Sequence, residues 1–174
     1  MSIEKLKASL RAIPDFPKKG ILFWDVTTMF KDAESLRTLS DELYELYKDK
    51  GITKVVGLES RGFVMGPPLA IRLGAGFVMA RKPGKLPAEV VSETYVKEYG
   101  RDTIEIHTDA ITPDDVVLIH DDLLATGGTM AAAVNLVRKF HPKRIYINFN
   151  IEIEALKGRD VLPQDIETTS VITV

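Results

Sequence analysis

Cysteine is absent from the 174 residues. That removes disulfides, thiolate catalysis and cysteine-based zinc sites together, and it fits a cytoplasmic protein. Histidine is scarce, and His107 and His141 show no metal-ligand spacing. Charge of one sign is not in excess. The formal net charge is −2, so no global positive field exists to draw nucleic acid. No apolar run approaches the roughly 20 residues of a membrane helix. The opening MSIEKLKASLRAI is a mixed-charge amphipathic pattern without the basic head and apolar core of a signal peptide. Repeats at solenoid periods and Pro/Ser/Gly-rich linkers are missing as well. Two phosphate motifs also fail. No G-x-x-x-x-G-K-[ST] is present, which excludes a P-loop nucleotidase. RLGAGF carries Gly74 and Gly76 but lacks the third spaced glycine of a dinucleotide site.

What is present is an ordinary globular balance, 45% hydrophobic and 28% charged residues. The length suits one domain over 1–174, with a small subdomain drawn from its two ends. Ser2 is placed to cap a helix over 2–11. Pro14, Pro17 and Gly20 make an extended loop, and ILFWDV (21–26) is apolar and β-prone. Asp32 can cap a helix over 33–50, whose Leu36, Leu39, Leu43, Leu46 and Tyr47 share one face before Gly51 ends it. Buried strands are expected at 54–58, 76–80, 116–120 and 144–153. Helices follow over 61–72, with Pro67-Pro68 in a first turn, and over 128–140. Residues 82–103 read as a long flexible loop or hairpin, with a short strand at 105–107.

Strand and helix alternate, and the strands are apolar on both faces. This is the pattern of an α/β domain with a central parallel sheet flanked by helices. Such sheets bind ligands beyond the carboxyl ends of their strands. Three strand ends carry suggestive residues: ESRG, ARKPGK and DDLLATGGT. In the last, Thr126-Gly127-Gly128-Thr129 leads into a helix N-terminus, where free N–H groups and the dipole favour a phosphate. A plain capped turn would look the same. Asp121 and Asp122 would repel a bare phosphate. They make sense against sugar hydroxyls, a metal ion or developing positive charge. Acids, glycines and threonines together suit a phosphorylated sugar.

VVLIHDDLLATGGTM (116–130) resembles the ribose-phosphate signature of the type I phosphoribosyltransferases. GILFWDVTTMFKD, GLESRGFVMG, RKPGKLPAEVVSETYVKEYG and DTIEIHTDAI are similar to the adenine-specific branch of that family, from about residue 10 to residue 160. The resemblance implies the type I fold, with a hood from residues 1–32 and the C-terminal end and a lid over about 82–103. It implies transfer of the 5-phosphoribosyl group from 5-phosphoribosyl 1-diphosphate to adenine, giving AMP and diphosphate, with Mg²⁺ and in a homodimer. In that reading Arg61 binds diphosphate; its alternative is a surface ion pair with Glu59. Arg81, Lys82 and Lys85 form a second cationic group. Glu98 is a candidate to take the adenine N9 proton, with Tyr99 beside it in the lid. Asp121 and Asp122 hold the ribose hydroxyls and reach Mg²⁺ through water or substrate. Ala125, Thr126, Gly127, Gly128 and Thr129 bind the 5-phosphate. Adenine lies near Leu22, Phe23 and Trp24, with Leu123 packing nearby and the backbone of Leu22 reading the base edge; plain core is the alternative for ILFW.

Two positions depart from the family pattern. Trp24 stands where arginine is common, and His120 where an aliphatic residue is usual. A lone histidine at a strand end is most often hydrogen-bonded structure; near the acids it would carry a pH-dependent charge. Two rival readings share the signature. A 6-oxopurine enzyme would lack the adenine-type lid and GILFWDV segment. A regulator that binds the sugar diphosphate only as a signal would need a nucleic-acid surface, which this charge balance and chain do not supply.

Overall fold

In the computed structural model, residues 2–16, 18–97 and 100–174 are described. The N-terminal helix α1 (Ile3–Ala8) is capped as expected, the Ser2 side chain accepting from Lys5 N. It stops short of residue 11 because the next residues form a strand. β1 (Arg11–Pro14) pairs antiparallel with β2 (Leu22–Asp25), Pro14 lying opposite Leu22. A short α2 (Thr27–Phe30) precedes α3 (Ala33–Tyr47), where Asp32 Oδ2 accepts from Ser35 N at 2.8 Å. Leu39, Leu43 and Tyr47 are fully buried, whereas Leu46 stays exposed.

β3 (Lys54–Leu58), α4 (Gly62–Leu73) and β4 (Gly76–Ala80) make a parallel crossover unit. Pro67 and Pro68 lie inside α4 and not in its first turn. Each removes an N–H that would have reached the carbonyl four residues back, at Phe63 and Val64. The helix begins at Gly62, one residue past its expected start, and Gly62 lies close against a neighbouring strand: a Cβ there would meet His120 O at 2.8 Å. Of the two forms expected for the polar 82–103 segment, much of it takes the hairpin, β5 (Val90–Lys97) with β6 (Gly100–His107), antiparallel in register from Val90↔His107.

β7 (Val116–Leu124) leads to α5 (Gly128–Arg138), then β8 (Arg144–Glu152), two single-turn 3₁₀ segments at Glu154–Leu156 and Gly158–Val161, and β9 (Thr168–Thr173). The five-stranded sheet has the order β4-β3-β7-β8-β9, every neighbouring pair parallel. β9 goes beyond the four strands read from the sequence, because TTSVIT lacks an apolar run to announce it. β7 runs four residues past its expected end, Asp121 pairing with Phe149 and Leu123 with Ile151. The acid pair therefore lies within the strand.

The sheet separates two apolar clusters. One packs α5 and Ile104 and Ile106 of the hairpin against Val117, Ile119 and Phe149. The other packs α1, α3 and α4 against Val55, Leu118 and Tyr146. β3 returns to β4 on one side and β7 to β8 on the other, with α4 and α5 on opposite faces. The order thus reverses between β3 and β7, and their carboxyl ends open a crevice there. Among the described residues, no helix is long and apolar enough to cross a membrane.

His120 is fully buried and belongs to a polar relay across the sheet. Its Nδ1 lies 2.9 Å from Asn148 Oδ1; Asn148 Nδ2 donates to Thr169 Oγ1 at 2.9 Å, and that oxygen lies 2.6 Å from Tyr47 Oη. Burial pushes the imidazole pKa down to about 4, so it is neutral around pH 7. The hydrogen-bonded structural role is the one the structure gives it.

The Gly158–Val161 turn supports the start of α5. A Cβ on Gly158 would lie 2.3 Å from Ala125 O, and one on Gly127 2.4 Å from Gly158 O. Both contacts are with backbone, which cannot step aside. Gly158→Ala is expected to cost about 1–3 kcal/mol by overpacking. Gly128→Ala, whose Cβ meets nothing within 4 Å, leaves stability unchanged; urea unfolding of the two variants checks the contrast.

Candidate active site

The crevice is assembled from three chain segments. Arg61 is the N-cap residue of α4, immediately beyond β3. Asp121 and Asp122 come from β7. Residues 124–130 run from the end of β7 through the turn into the start of α5. Together with Leu123 and Phe149 they line a cavity of about 200 Å³. Arg61, Asp121, Asp122, Leu123, Ala125, Thr126, Gly127, Gly128 and Thr129 are thus brought to one place, as the sequence pattern implied. Leu124, Met130 and Phe149 join them, and sequence reasoning missed all three, since each reads as ordinary core.

Side-chain direction changes at the acid pair. Before it, Val117 and Ile119 face the α5 cluster and Leu118 the opposite one; after it, Leu124 faces the α5 cluster and Leu123 the opposite one. Strict alternation would have reversed these last two. β8 changes phase at the same level, Ile147 and Phe149 facing one cluster and Ile151 the other. The irregularity sits where the acids must leave the apolar layers and turn to the crevice.

Asp122 is 2% exposed. Its Oδ2 lies 3.0 Å from Arg61 Nε, yet no hydrogen-bond donor among the described residues is aligned on that oxygen. Arg61 therefore crosses the reversal point to Asp122, and the alternative pairing with Glu59 is not the one formed. Asp121 Oδ1 accepts from the Asp122 N–H at 2.9 Å. Burial, and then the adjacent Asp122 charge, push the Asp121 carboxyl up to about 8. Burial also raises Asp122, with Arg61 working against the shift. Two neighbouring carboxylates taken from water disfavour their own ionisation. A ligand that donates hydrogen bonds or carries positive charge relieves that cost.

The turn into α5 has the form of an anion cradle. Gly127 is the N-cap residue at φ +82°, and no side chain caps the helix. The first helical bond runs from Ala131 N to Gly127 O at 2.9 Å. The N–H groups of Gly128, Thr129 and Met130 have no intrahelical acceptor, and the helix dipole adds to their pull on an anion. Thr126 and Gly128 are exposed and Thr129 is half-buried.

The second cationic group is not a free cluster. Arg81 donates from Nε and Nη2 to Glu59 at 3.2 Å each, and Lys82 N donates to the same carboxylate at 2.8 Å. These hydrogen bonds, Arg81 first, hold the Glu59 pKa below its ordinary value. The Lys82 ammonium is paired with Asp102. Lys85 is exposed. None of the three lines the cavity. Sequence reasoning counted these cations without their partners, Glu59 just beyond β3 and Asp102 in β6. Leu22, Phe23 and Trp24 lie on β2, outside the cavity lining. Leu22 is 49% exposed, Phe23 meets Phe16 edge-on at 5.1 Å, and Trp24 and Leu123 pack on the same apolar cluster. Glu98 and Tyr99 lie outside the described residues. No group of three or more His, Asp or Glu residues able to hold a metal occurs among the described ones.

The phosphoribosyl transferase domain family matches residues 27–161 of the chain. An adenine phosphoribosyltransferase of Phocaeicola vulgatus is 67% identical over 174 residues, covering 100% of each protein. One of Bacteroides fragilis is 64% identical over 176 residues, covering 100% of this chain and 99% of its own. Among solved structures, the Giardia lamblia enzyme complexed with 9-deazaadenine superposes with a TM-score of 0.93 at 46% identity, covering 100% of this chain and 98% of that one. The Rhodothermus marinus adenine phosphoribosyltransferase gives 0.92 at 47%, covering 99% and 98%.

A raised carboxyl pKa makes the crevice a liability for stability. The pKa of Asp121 is higher folded than unfolded, so the stability it contributes is complete below pH 4 and is lost as pH rises toward 8. Asp121→Asn, which does not ionise, is expected to gain about 0.5–2 kcal/mol over the native protein at pH 8. The gain shrinks to nothing near pH 4. Thermal unfolding at the two pH values measures it.

Proposed function

The chain belongs to the phosphoribosyl transferase family and has its type I fold, and on that premise we propose that it transfers the 5-phosphoribosyl group from 5-phosphoribosyl 1-diphosphate to adenine. The products are AMP and diphosphate. One observation carries the assignment of roles: a bare helix N-terminus and a buried acid pair share a single cavity with Arg61. A phosphate alone would need only the first. A sugar phosphate that develops positive charge needs both.

The 5-phosphate takes the N–H groups at the start of α5 and the hydroxyls of Thr126 and Thr129. Ala125, Gly127 and Gly128 let it come close to backbone. Asp121 and Asp122 accept from the ribose 2- and 3-hydroxyls, which supplies the donor that Asp122 Oδ2 lacks among the described residues. Arg61 holds diphosphate oxygens with its guanidinium fork. As the C1–oxygen bond breaks, electrons leave with diphosphate and positive charge grows on the sugar ring. The acid pair stabilises that charge because it was placed there in advance, at low dielectric. N9 of adenine then bonds to C1 and loses its proton; Glu98 is the candidate acceptor, with Tyr99 beside it. Arg81, Lys82 and Lys85 supply the positive surroundings of the lid, Arg81 held by Glu59 and Lys82 by Asp102.

Carboxylate oxygens suit Mg²⁺, and Asp122 Oδ2 is an orphaned acceptor. With only two acids at the site, Asp121 and Asp122 would hold Mg²⁺ indirectly, through water or sugar hydroxyls. When bound, the ion neutralises charge on the departing diphosphate.

Adenine is placed between β2 and Leu123. Pro14 lies opposite Leu22 and has no N–H, so the Leu22 carbonyl receives no ladder bond from it. That carbonyl can accept from the 6-amino group of adenine. A 6-oxo purine would leave it unpaired, which is a strong basis for rejection. Trp24 adds stacking surface in place of a guanidinium. A homodimer is proposed on the apolar surface where Phe30, Leu36, Val64, Met65 and Pro68 line an open groove. The cysteine-free chain suits cytoplasmic work.

In a direct assay with 5-phosphoribosyl 1-diphosphate and Mg²⁺, AMP is expected from adenine. Hypoxanthine should react at least ~100-fold more slowly in kcat/KM. Arg61→Ala should lower kcat/KM by about 100-fold or more, and chelation of the metal should stop turnover. Comparable rates with hypoxanthine would assign the 6-oxopurine reading instead. A monomer in sedimentation equilibrium would remove the dimer.

A further inference from the structure

The start of α5 rests on the Gly158–Val161 turn without being bonded to it. Ala125 and Gly127 meet Gly158 backbone on backbone, yet among the described residues no backbone hydrogen bond joins 125–128 to the turn. A close contact of that kind persists only if something else holds the turn in place. At its far end Leu162 does so, buried in the α5 cluster. At its near end, beside Gly158, stands Arg159.

The Arg159 guanidinium is engaged through all three of its nitrogens. Nε and Nη2 donate to the two oxygens of Glu152, each at 2.7 Å, and Nη1 donates to Thr168 O at 2.8 Å. Ser170 Oγ donates to Glu152 Oε2 at 2.8 Å. Glu152 is buried, and these bonds, Arg159 first, hold its carboxyl pKa below the ordinary value, so the pair is charged around neutral pH. A fork on one carboxylate, with a carbonyl on the third nitrogen, fixes plane and direction as an ammonium could not. The side chain thereby ties the turn to β8 and β9. The mechanism above uses neither Arg159 nor Glu152.

We propose that Arg159 is a positioning residue for the sugar-phosphate site: anchored on Glu152 and Thr168, it holds Gly158 against Ala125 and Gly127 and so shapes the bare start of α5. It touches no substrate, and the inference rests on the phosphate site proposed above. Without the tether the turn withdraws, and Gly127, held at φ +82°, is released. A free glycine samples many conformations. The N–H groups of Gly128, Thr129 and Met130 then no longer converge in advance, and part of the binding free energy goes into ordering them.

Full-length wild type, Arg159→Ala and Glu152→Gln are compared by titration with ribose 5-phosphate and by steady-state kinetics. Arg159→Ala should weaken ribose 5-phosphate about ten-fold and raise KM for the sugar diphosphate in step. Its kcat and its KM for adenine should stay within about two-fold of wild type, the pattern of lost uniform binding. Guanidinium chloride at millimolar concentration should restore affinity to Arg159→Ala, and sodium chloride should not. Exchange of the Ala131 amide, which closes the first helical bond on Gly127 O, should quicken in the same variant. Glu152→Gln, which keeps the side-chain shape, should move the same two constants in the same direction by less, and it decides the matter if Arg159→Ala does not fold. A pair that serves stability alone lowers the folded fraction, so apparent kcat and Tm fall while ribose 5-phosphate affinity and both KM values stay at wild type; that outcome overturns the inference alone. A wild-type protein that binds no ribose 5-phosphate and forms no AMP overturns the phosphate site, and the inference with it.

Discussion

Two adjacent carboxylates, Asp122 buried and Asp121 partly so, beside a single guanidinium are the constraint around which this molecule is arranged. Left alone, Asp121 and Asp122 oppose each other's charge, and burial opposes both. Arg61 offsets part of this from 3.0 Å but aligns no hydrogen bond on the buried oxygen. In the function proposed above, the pair accepts what a ribose ring offers, hydroxyl donors first and positive charge later. Binding and chemistry draw on the same discomfort. A site that satisfied these carboxylates with protein donors would be more stable and would have less to give the transition state.

The fold supplies that constraint through close approach. Reversal of strand order between β3 and β7 brings the Arg61 end of one segment against the acid pair of the other. Gly62 permits it, because any Cβ would strike the His120 carbonyl. On the other flank, Gly127 takes a left-handed conformation and lies on Gly158. The bare start of α5 is thereby set by packing of backbone on backbone, with no side chain among the described residues capping it. Beneath the acids, the His120–Asn148–Thr169–Tyr47 relay joins β7, β8, β9 and α3. Neutral and hydrogen-bonded, it gives the strand ends a fixed polar floor and adds no charge to the crevice.

Much of this was legible in the sequence. Apolar runs separated by helical spacing fixed the α/β class. Acids followed by TGGT marked a strand-to-helix turn that the structure places in one cavity with the acids, and the two caps at Ser2 and Asp32 formed as their side chains suggested. What escaped has a common cause: it depends on partners distant in the chain. Arg81 and Lys82 read as anion-binding cations until Glu59 and Asp102 fold against them. β9 is polar and β-branched, and it becomes a strand only because β8 offers it an edge. β7 extends through Asp121 and Asp122 because Phe149 and Ile151 pair with it, against the expectation that acids end a buried strand. Gly158 looks like any loop glycine until Ala125 approaches it. Pro67 and Pro68 fall inside α4 because that helix already begins at Gly62, five residues before the first of them.

The account stands or falls on the protonation of the acid pair, and carbon-13 NMR of the aspartate side chains observes it directly. A pH titration of the carboxyl resonances should show Asp121 with a midpoint near 8 in the free protein. With 5-phosphoribosyl 1-diphosphate and Mg²⁺ bound, the same resonance should be that of an ionised carboxylate at pH 7. An Asp121 that titrates near 4 in the free protein, or whose resonance ignores the sugar diphosphate, would contradict the account.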